Sequence, residues 1–373
     1  MYTNPVLAHV TNPYYLVTPP YVSTSAGIKA LHLLCHHLNT RGYQAYIVPS
    51  IPVYADPISH DLITPVLTRK EIETHFAQKR CPIAVYPEVI EGNPLQAPLV
   101  ARYVLNYPGL LGGSKTYDPK ELIFCYSRKL ADSFPTNVYA QVLFMLVTDT
   151  SVFYPPSLPV VRQGTCFYAS KYQHHHQGKL SPITENSFEI TRDQQNSPTP
   201  QQIADLFRCS ELFYTYENTA LAIEAAACGC PVVFIPNDYI TGENLAEAEI
   251  GSDGFCFGTE PADIAHAKAT VHLAFENYIK SAEKFADQLD NFISITQNKA
   301  QETPYTHCID TSYVATNTTY YLSQNFYIGS FVRGFPRFFY GFLSYRYRDA
   351  KWAQWLRPAV RWYRNKLFNF KET

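Results

Sequence analysis

Apolar residues recur along this chain in two patterns. Short continuous apolar runs are typical of strands buried on both faces, and apolar residues spaced three or four apart are typical of helices packed on a sheet. Strands are predicted in the first half at Tyr14–Val17, Tyr43–Val48, Pro82–Tyr86 and Leu122–Tyr126. Helices are predicted there at Ile28–Leu38, Leu67–Phe76 and Ala97–Leu105. This alternation predicts an α/β fold.

The proline-rich segment Pro155–Val160 interrupts the pattern and predicts a domain boundary. The predicted domains are 1–155 and 156–334. Strands are predicted in the second at Thr165–Ser170, Ser187–Thr191, Glu211–Tyr214 and Val232–Ile235. Helices are predicted at Gln201–Cys209, Thr219–Cys228, Thr241–Gly251 and Asp263–Leu289, and loops at Gln173–Lys179 and Asn298–Thr319.

The most informative stretch is Glu211–Ile235, which reads as strand, loop, helix and strand. So short a βαβ unit must pair its strands in parallel. Glu217 and Glu224 are seven positions apart, about two helical turns, and therefore share one face. Open α/β sheets bind ligands at the carboxyl edge, where a carboxylate can accept hydrogen bonds from the vicinal hydroxyls of a ribose.

Glu224–Val233 resembles the glutamate-alanine and glycine-x-proline-valine-valine signature of GT-B-fold glycosyltransferases. The resemblance implies that Glu224 holds the donor ribose, as the second glutamate of a paired-glutamate motif. The first glutamate of that motif falls eight positions earlier, where this chain has Tyr216 and Glu217 follows one place later. The partner role of Glu217 and the retaining stereochemistry of the paired-glutamate type are therefore open. The alternative is a packing helix with solvated glutamates.

The resemblance also implies the architecture: two Rossmann-like domains with parallel sheets facing a cleft, and C-terminal helices at about 335–373 crossing back to the first domain. The donor would lie mainly on the second domain, against Tyr216, Glu217, Asn218 and Thr219. In the first domain, the turn at Ser25, Ala26 and Gly27 would face the cleft and present backbone N–H groups to an anion or a sugar.

Two cations and one further carboxylate complete the candidate site. Lys171 and Arg192 follow predicted strands of the second domain and would neutralise a departing nucleoside diphosphate; Arg162 and Lys179 are reserves. Each cation could equally be a solvated surface charge. Glu88 follows a strand in a segment, Tyr86–Gly109, that is similar to bacterial surface-polysaccharide glycosyltransferases.

Glu88 is predicted to act as a general base toward an acceptor hydroxyl or to orient a sugar. The alternative is a loop carboxylate capping a following helix, for which Asn93 is the predicted N-cap. The donor half has no DxD-type metal motif, so metal-independent transfer without a cofactor is expected. The pair His32 and His36 is interpreted as packed or solvated, and the run His174–His176 as part of a mobile loop near the ligand, rather than as metal ligands.

Length and composition limit the class of protein and the cell compartment that this chain suits. At 373 residues the chain can hold two domains, and its net charge of −2 argues against a general nucleic-acid binder. Nine cysteines without disulfide or zinc spacing favour reduced thiols in a cytoplasm. The N-terminus does not have the pattern of a signal peptide, and no apolar run reaches the roughly 18 residues of a membrane span.

The region 331–371 differs from the rest, because it has ten Lys or Arg against one acid, Asp349, interleaved with aromatic residues. Such a segment can lie on an anionic membrane surface, which would suit a lipid-linked acceptor. The favoured interpretation is that its tryptophans pack in a helix that crosses back onto the first domain, with membrane contact second and RNA binding through the same residues third.

The resemblance therefore implies a hexosyltransferase that moves a sugar from a nucleotide-sugar donor to a saccharide or lipid-linked saccharide during bacterial surface-polysaccharide assembly. It would be cytoplasmic, with peripheral contact at the inner face of the cytoplasmic membrane as a secondary hypothesis. The alternatives are a sugar-nucleotide 2-epimerase of the same fold, a non-catalytic sugar- or nucleotide-binding module, and a membrane-surface scaffold.

Overall fold

The computed structural model describes residues 11–51, 57–192, 196–240, 245–304 and 309–314. The first sheet has six strands: β1 Tyr14–Thr18, β2 Ala45–Pro49, β3 Ile83–Pro87, β4 Leu99–Val104, β5 Leu122–Cys125 and β6 Ala140–Val142. Their order is β2-β1-β3-β4-β5-β6, and β1 pairs in parallel with both β2 and β3. The helices of this part are α1 Ala26–Thr40, α2 Arg69–Ala77 and α3 Arg128–Asp132.

The second sheet has five strands: β7 Thr165–Tyr168, β8 Phe188–Glu189, β9 Leu212–Thr215, β10 Val232–Phe234 and β11 Phe255–Phe257. Their order is β11-β10-β9-β7-β8, and every pair is parallel. The helices are α4 Ser170–His176, α5 Pro200–Cys209, α6 Ala220–Ala227, α7 Glu247–Ile250, α8 Pro261–Thr270 and α9 Ala274–Glu302. The predicted α/β class with parallel sheets is confirmed.

Helix starts in this protein follow local capping chemistry. Thr68 is the N-cap of α2, and the Glu71 carboxylate accepts the Thr68 N–H at 3.2 Å, as predicted. Thr199 and Gln202 form the same reciprocal pair at α5. The hydroxyl of Thr219 accepts the N–H of Leu221 at the start of α6. These caps fix the position at which each helix leaves the loop that follows a strand.

The described residues divide into two compact units. One contains 11–22, 31–101 and 296–314, and the other contains 23–30 and 102–295. A core cluster of the first includes Tyr15, Val48 and Ala84, which lie on neighbouring strands. The largest cluster of the second joins the strands around β9 to α6, whose residues Leu221–Ala227 are all buried. The domain limits 1–155 and 156–334 stay a prediction.

The predicted helix Ala97–Leu105 is wrong, because Leu99–Val104 is strand β4. All six of its residues are buried, including the single charged one, Arg102, so the segment shows no alternation of polar and apolar positions that would separate a strand from a buried helix. Asn93 therefore does not cap a helix. Its side-chain oxygen accepts the Ala97 N–H at 3.0 Å and the Tyr86 hydroxyl at 2.9 Å, which holds a turn between β3 and β4.

Three other boundaries also differ from prediction. The predicted loop Gln173–Lys179 is helical through His176, and α4 ends only at Gln177, whose φ is 52°. The predicted helix Asp263–Leu289 is two helices joined by a 3₁₀ turn at Val271–Leu273, and α9 continues beyond the predicted loop start at Asn298 to Glu302. Within Thr241–Gly251 the described helix is α7 alone.

The predicted C-terminal helices at 335–373 and the basic aromatic region 331–371 lie outside the described residues. Within the described part of the chain, no helix combines the length and the apolar character needed to cross a membrane.

Candidate functional site

The predicted site residues of the second sheet gather at its carboxyl edge. Lys171 lies three residues after β7, Arg192 three residues after β8, and Glu217 two residues after β9. Because β7 is parallel to both β8 and β9, these three segments leave the sheet at the same edge. This is the edge at which parallel α/β sheets bind ligands.

A buried ion pair lies at this edge. Nη2 of Arg192 is 2.6 Å from Oε2 of Glu224, and the two side chains are only 10% and 5% exposed. Glu224 is placed by α6, which begins at the Thr219 cap and packs its other residues in the core. A carboxylate with so little access to water requires a close cation, which the guanidinium supplies.

Arg192 also contacts the loop before α1. Its Nη1 donates a 3.0 Å hydrogen bond to the carbonyl of Thr24. Its Nε is buried and has no hydrogen-bond partner among the described residues. The carbonyl of Ser25 accepts the Lys29 N–H at 2.9 Å in the first turn of α1. The predicted turn Ser25–Gly27 therefore follows directly on the residue that Arg192 binds.

Gly27 has an ordinary backbone conformation, and a Cβ there would lie 3.7 Å from the Leu105 side chain. That separation is normal van der Waals contact, so neither strain nor space requires glycine at this position.

Lys29 is a third charge of the site, and it was not among the predicted residues. It lies in the first turn of α1 and is partly buried. Burial lowers the pKa of its ammonium group, and the opposite charge of Glu224 is the largest influence acting to raise it. Arg192 lowers the same pKa, and Asp149 raises it. Its position one turn beyond Ser25 was the available sequence signal.

Lys171, Tyr216, Glu217 and Asn218 line a pocket beside the loop that joins β9 to α6. Oε2 of Glu217 accepts the backbone N–H of Tyr172 at 3.0 Å. The side-chain oxygen of Asn218 accepts the N–H of Leu245 at 3.3 Å. The structure thus brings four of the predicted residues together in a second cluster next to the predicted ribose site.

Tyr216 has a structural role as well as a place in the pocket. Its side chain is 2% exposed, and its hydroxyl accepts the Ser181 N–H at 2.8 Å. The Thr184 hydroxyl is also 2.8 Å from that oxygen. The Tyr216 hydroxyl is therefore held by the segment before β8, so the ring is the part of Tyr216 that lines the pocket.

The remaining predicted residues lie elsewhere. Glu88 directly follows β3 in the first unit and is 4% exposed. Arg162 donates from Nη1 to the carbonyls of Phe207 and Ser210 at 2.7 and 3.0 Å, and from Nη2 to that of Cys228 at 3.0 Å. It thereby binds the C-terminal ends of α5 and α6, so the reserve role of Arg162 gives way to a structural one.

The histidines of α1 contact backbone groups. Nε2 of His32 lies 3.1 Å from the Pro19 carbonyl, and Nδ1 of His36 accepts the Ile63 N–H at 3.0 Å. Over the ranges that the structure describes, no group of three or more His, Cys, Asp or Glu side chains is arranged to hold a metal ion.

Comparisons with known proteins give distant similarities only. No family model matches the chain, and no curated protein matches it. Among solved structures it is similar to the glycosyltransferase SnogD from Streptomyces nogalater (11% identity, TM-score 0.38, 78% of this chain and 99% of that one). It is also similar to the spinosyn rhamnosyltransferase SpnG (13%, 0.36, 78% and 100%) and the calicheamicin glycosyltransferase CalG4 (13%, 0.34, 79% and 98%). Similarity at this level does not assign an activity.

Proposed function

We propose that this protein is a GT-B-fold glycosyltransferase that uses a nucleotide-sugar donor. The observation that carries the proposal is the buried Arg192–Glu224 pair at the carboxyl edge of a parallel sheet. It supports the sequence resemblance, because Glu224 is the residue to which the resemblance assigns the donor ribose. A glutamate that was merely solvated on the surface of a packing helix would be exposed, whereas the Glu224 side chain is only 5% exposed.

The charges of this cluster suit a nucleoside diphosphate. Arg192 and Lys29 supply two positive charges against one buried carboxylate, Glu224. The carboxylate of Asp149 is exposed and acts more weakly on Lys29, so the buried part of the cluster attracts an anion. Arg192 occupies Oε2 of Glu224, while Oε1 has no partner among the described residues. In the proposed complex Oε1 accepts a ribose hydroxyl, and the buried Nε of Arg192 donates to a phosphate oxygen.

Transfer breaks the bond between the anomeric carbon and the phosphate oxygen and forms one between that carbon and an acceptor oxygen. The leaving diphosphate gains negative charge, which Arg192, Lys29 and the N-terminal turn of α1 stabilise in this proposal. No metal ion is invoked. The acceptor proton passes to a carboxylate if the configuration inverts, and Glu88 is the proposed base.

The proposed acceptor is a saccharide or a lipid-linked saccharide of a bacterial surface polysaccharide. The support for this narrower statement is the similarity of Tyr86–Gly109 to enzymes of that kind, together with the buried position of Glu88 after β3. Because Lys171 lines the neighbouring pocket, we propose that it acts on the saccharide side of the reaction instead of on the departing diphosphate, the role that the sequence suggested.

The proposal is tested by thermal-shift measurements of the purified chain against UDP-, GDP-, dTDP- and CMP-linked sugars. Ligand binding to the native state raises the melting temperature by mass action, and we expect a shift with one nucleotide class. Glu224→Gln should remove that shift.

The matched control is Glu121→Gln, which weakens a second buried ion pair of the described residues, Arg102–Glu121 at 2.8 Å. Glu121→Gln should lower the melting temperature of the free protein but keep the ligand-induced shift. An absence of any shift in folded wild-type protein would count against the proposal, and so would an unchanged shift in Glu224→Gln.

A further inference from the structure

The pocket beside the β9–α6 loop has features that donor binding at Glu224 does not use. Its walls come from the loop after β4, from α4, from the β9–α6 loop and from Tyr239 after β10. All of these segments belong to the second compact unit. One wall is aromatic and the other presents N–H donors.

The aromatic wall consists of two stacked pairs. The rings of Tyr172 and Tyr216 are 5.2 Å apart at 15°, and those of His176 and Tyr239 are 3.6 Å apart at 11°. Tyr172 and Tyr239 meet edge to face at 6.3 Å, which joins the pairs into one surface. Tyr239 is 41% exposed, so part of its ring is available to a ligand. The apolar C–H face of a sugar ring packs well on such a surface.

The polar wall offers donors without partners. Asn106 uses its side-chain oxygen for the Tyr107 N–H at 2.8 Å, and Asn218 uses its oxygen for the Leu245 N–H at 3.3 Å. Within the described part of the chain, neither side-chain NH₂ group has a hydrogen-bond partner, and the same holds for the ammonium group of Lys171. Glu217 also lines the pocket, but its Oε2 accepts the Tyr172 N–H and its Oε1 is buried. The groups that this wall presents to a ligand are therefore donors, and a ligand that matches them accepts hydrogen bonds and places a negative group on Lys171.

We propose that this pocket binds an anionic sugar ring, a hexose bearing a carboxylate or a phosphate, with the ring on Tyr239 and the negative group on Lys171. The inference rests on the proposed function, since it makes the saccharide handled next to the donor nucleotide an acidic one. The amide groups of Asn106 and Asn218 donate to ring hydroxyls or to the same anionic group. The histidine of the aromatic wall, His176, belongs to the run His174–His176, for which the sequence predicts a position near the ligand.

The test is ligand-observed saturation-transfer NMR on the full chain. The probes are hexuronates and hexose 6-phosphates of gluco, galacto and manno configuration, each beside its neutral parent hexose. At least one anionic probe should bind about tenfold more tightly than its parent, the factor expected of a charge-assisted hydrogen bond. The preference for carboxylate or phosphate identifies the anionic group.

Two variants separate the walls. Lys171→Met should reduce the anionic probe to the affinity of its neutral parent. Tyr239→Ala should weaken both by about threefold to tenfold, the contribution of one aromatic contact. Lys120→Met, at an exposed lysine before β5, and Tyr139→Ala, at a tyrosine that is 81% exposed, are the controls and should change neither affinity.

Equal binding of anionic and neutral hexoses throughout the panel would overturn the proposal. It would also be overturned if Lys171→Met weakened a nucleoside diphosphate without sugar as much as it weakened the anionic hexose, because the pocket would then be a phosphate site of the donor. Both results leave the proposed glycosyltransferase function standing if nucleotide-sugar binding is still lost in Glu224→Gln.

Discussion

Gly229 lies directly against the guanidinium of Arg162. A Cβ at Gly229 would be 2.8 Å from Nη2 of Arg162, closer than van der Waals contact permits. Gly229 also has a φ of 73°, a left-handed conformation that ends α6 just before β10. The Arg162 guanidinium cannot retreat freely, since it is bound to the carbonyl of Cys228. Backbone conformation and space thus both require glycine here, which explains the glycine within the segment that resembles the glycosyltransferase signature.

Gly229→Ala should therefore destabilise the protein by more than the conformational cost alone. The left-handed conformation costs about 1–2 kcal/mol for a residue with a Cβ, and displacement of Arg162 adds to it. Gly42→Ala is the matched control, because Gly42 has a φ of 82° and no atom within 4 Å of the added Cβ. Chemical denaturation of both variants measures the difference. Equal losses in the free energy of unfolding would show that Arg162 is not held as described.

The Arg192–Glu224 pair makes a second prediction, on coupling. Arg192→Met alone removes the closest cation from the buried Glu224 carboxylate. The free energy of unfolding should therefore fall by about 3–5 kcal/mol. Arg192→Met with Glu224→Leu removes both charges and should cost less than the sum of the single changes. A double-mutant cycle by urea denaturation measures this coupling. Additive costs would mean that the two side chains do not interact in solution.

Arg102 and Glu121 provide the reference cycle for that experiment. Their side chains are 1% and 8% exposed, and two hydrogen bonds of 2.8 and 3.0 Å join them. We expect a similar coupling free energy in both cycles, but loss of nucleotide-sugar binding only in the Arg192–Glu224 series. Loss of binding in both series would point to general damage to the fold.

Lys29 makes a prediction about pH. Its pKa in the folded protein is lower than the ordinary value of 10.5, chiefly because of burial. Between the two values the unfolded chain binds more protons than the folded protein, so stability rises with pH across that window. Lys29→Met should remove this rise while leaving the contributions of other groups. Denaturation from pH 7 to 10.5 measures it, as the difference between wild type and variant; parallel pH profiles would contradict it.

Glu224→Gln should extend to lower pH the range over which Lys29 makes stability rise with pH. Glu224 is the strongest influence raising the pKa of Lys29, so its neutralisation should lower that pKa. NMR titration of the Lys29 side-chain carbon next to the amine follows the change directly. Asp149, the other carboxylate that raises this pKa, offers the comparison, and Asp149→Asn should have the smaller effect.

The strands around Glu224 could be predicted because their information is local. The run Val232–Phe234 is β-branched and apolar, Thr219 is a good N-cap, and Gly229 marks the end of the helix. Strand β4 could not be separated from a helix, since it is buried on both faces and has no polar residue spacing to show its period.

The contacts that assemble the site could not be predicted from sequence patterns. Arg192 meets Thr24 across 168 positions of the chain, and the Arg192–Glu224 pair spans 32. Lys29 lies one turn beyond the predicted turn residue Ser25, but that position alone does not show that α1 brings it to the same charges. The stacking of His176 on Tyr239 could not be predicted either. His176 lies on helix α4, where a loop was predicted, and Tyr239 follows β10, a different strand.

Glu88 makes the last prediction, on chemistry. As the proposed base, Glu88 takes a proton from the acceptor hydroxyl as the new glycosidic bond forms, and a positioned base of this kind contributes about 10²–10⁴-fold to the rate. Glu88→Gln keeps the size of this buried side chain and removes its basicity. We therefore expect kcat to fall by about 10²-fold or more while the KM for the donor stays unchanged. Glu91→Gln, at an exposed glutamate three positions later, should retain full activity. The anomeric configuration of the product, read by NMR, should be inverted. Full activity of Glu88→Gln with a retained configuration would remove Glu88 from the chemistry and assign the acceptor proton to the departing phosphate.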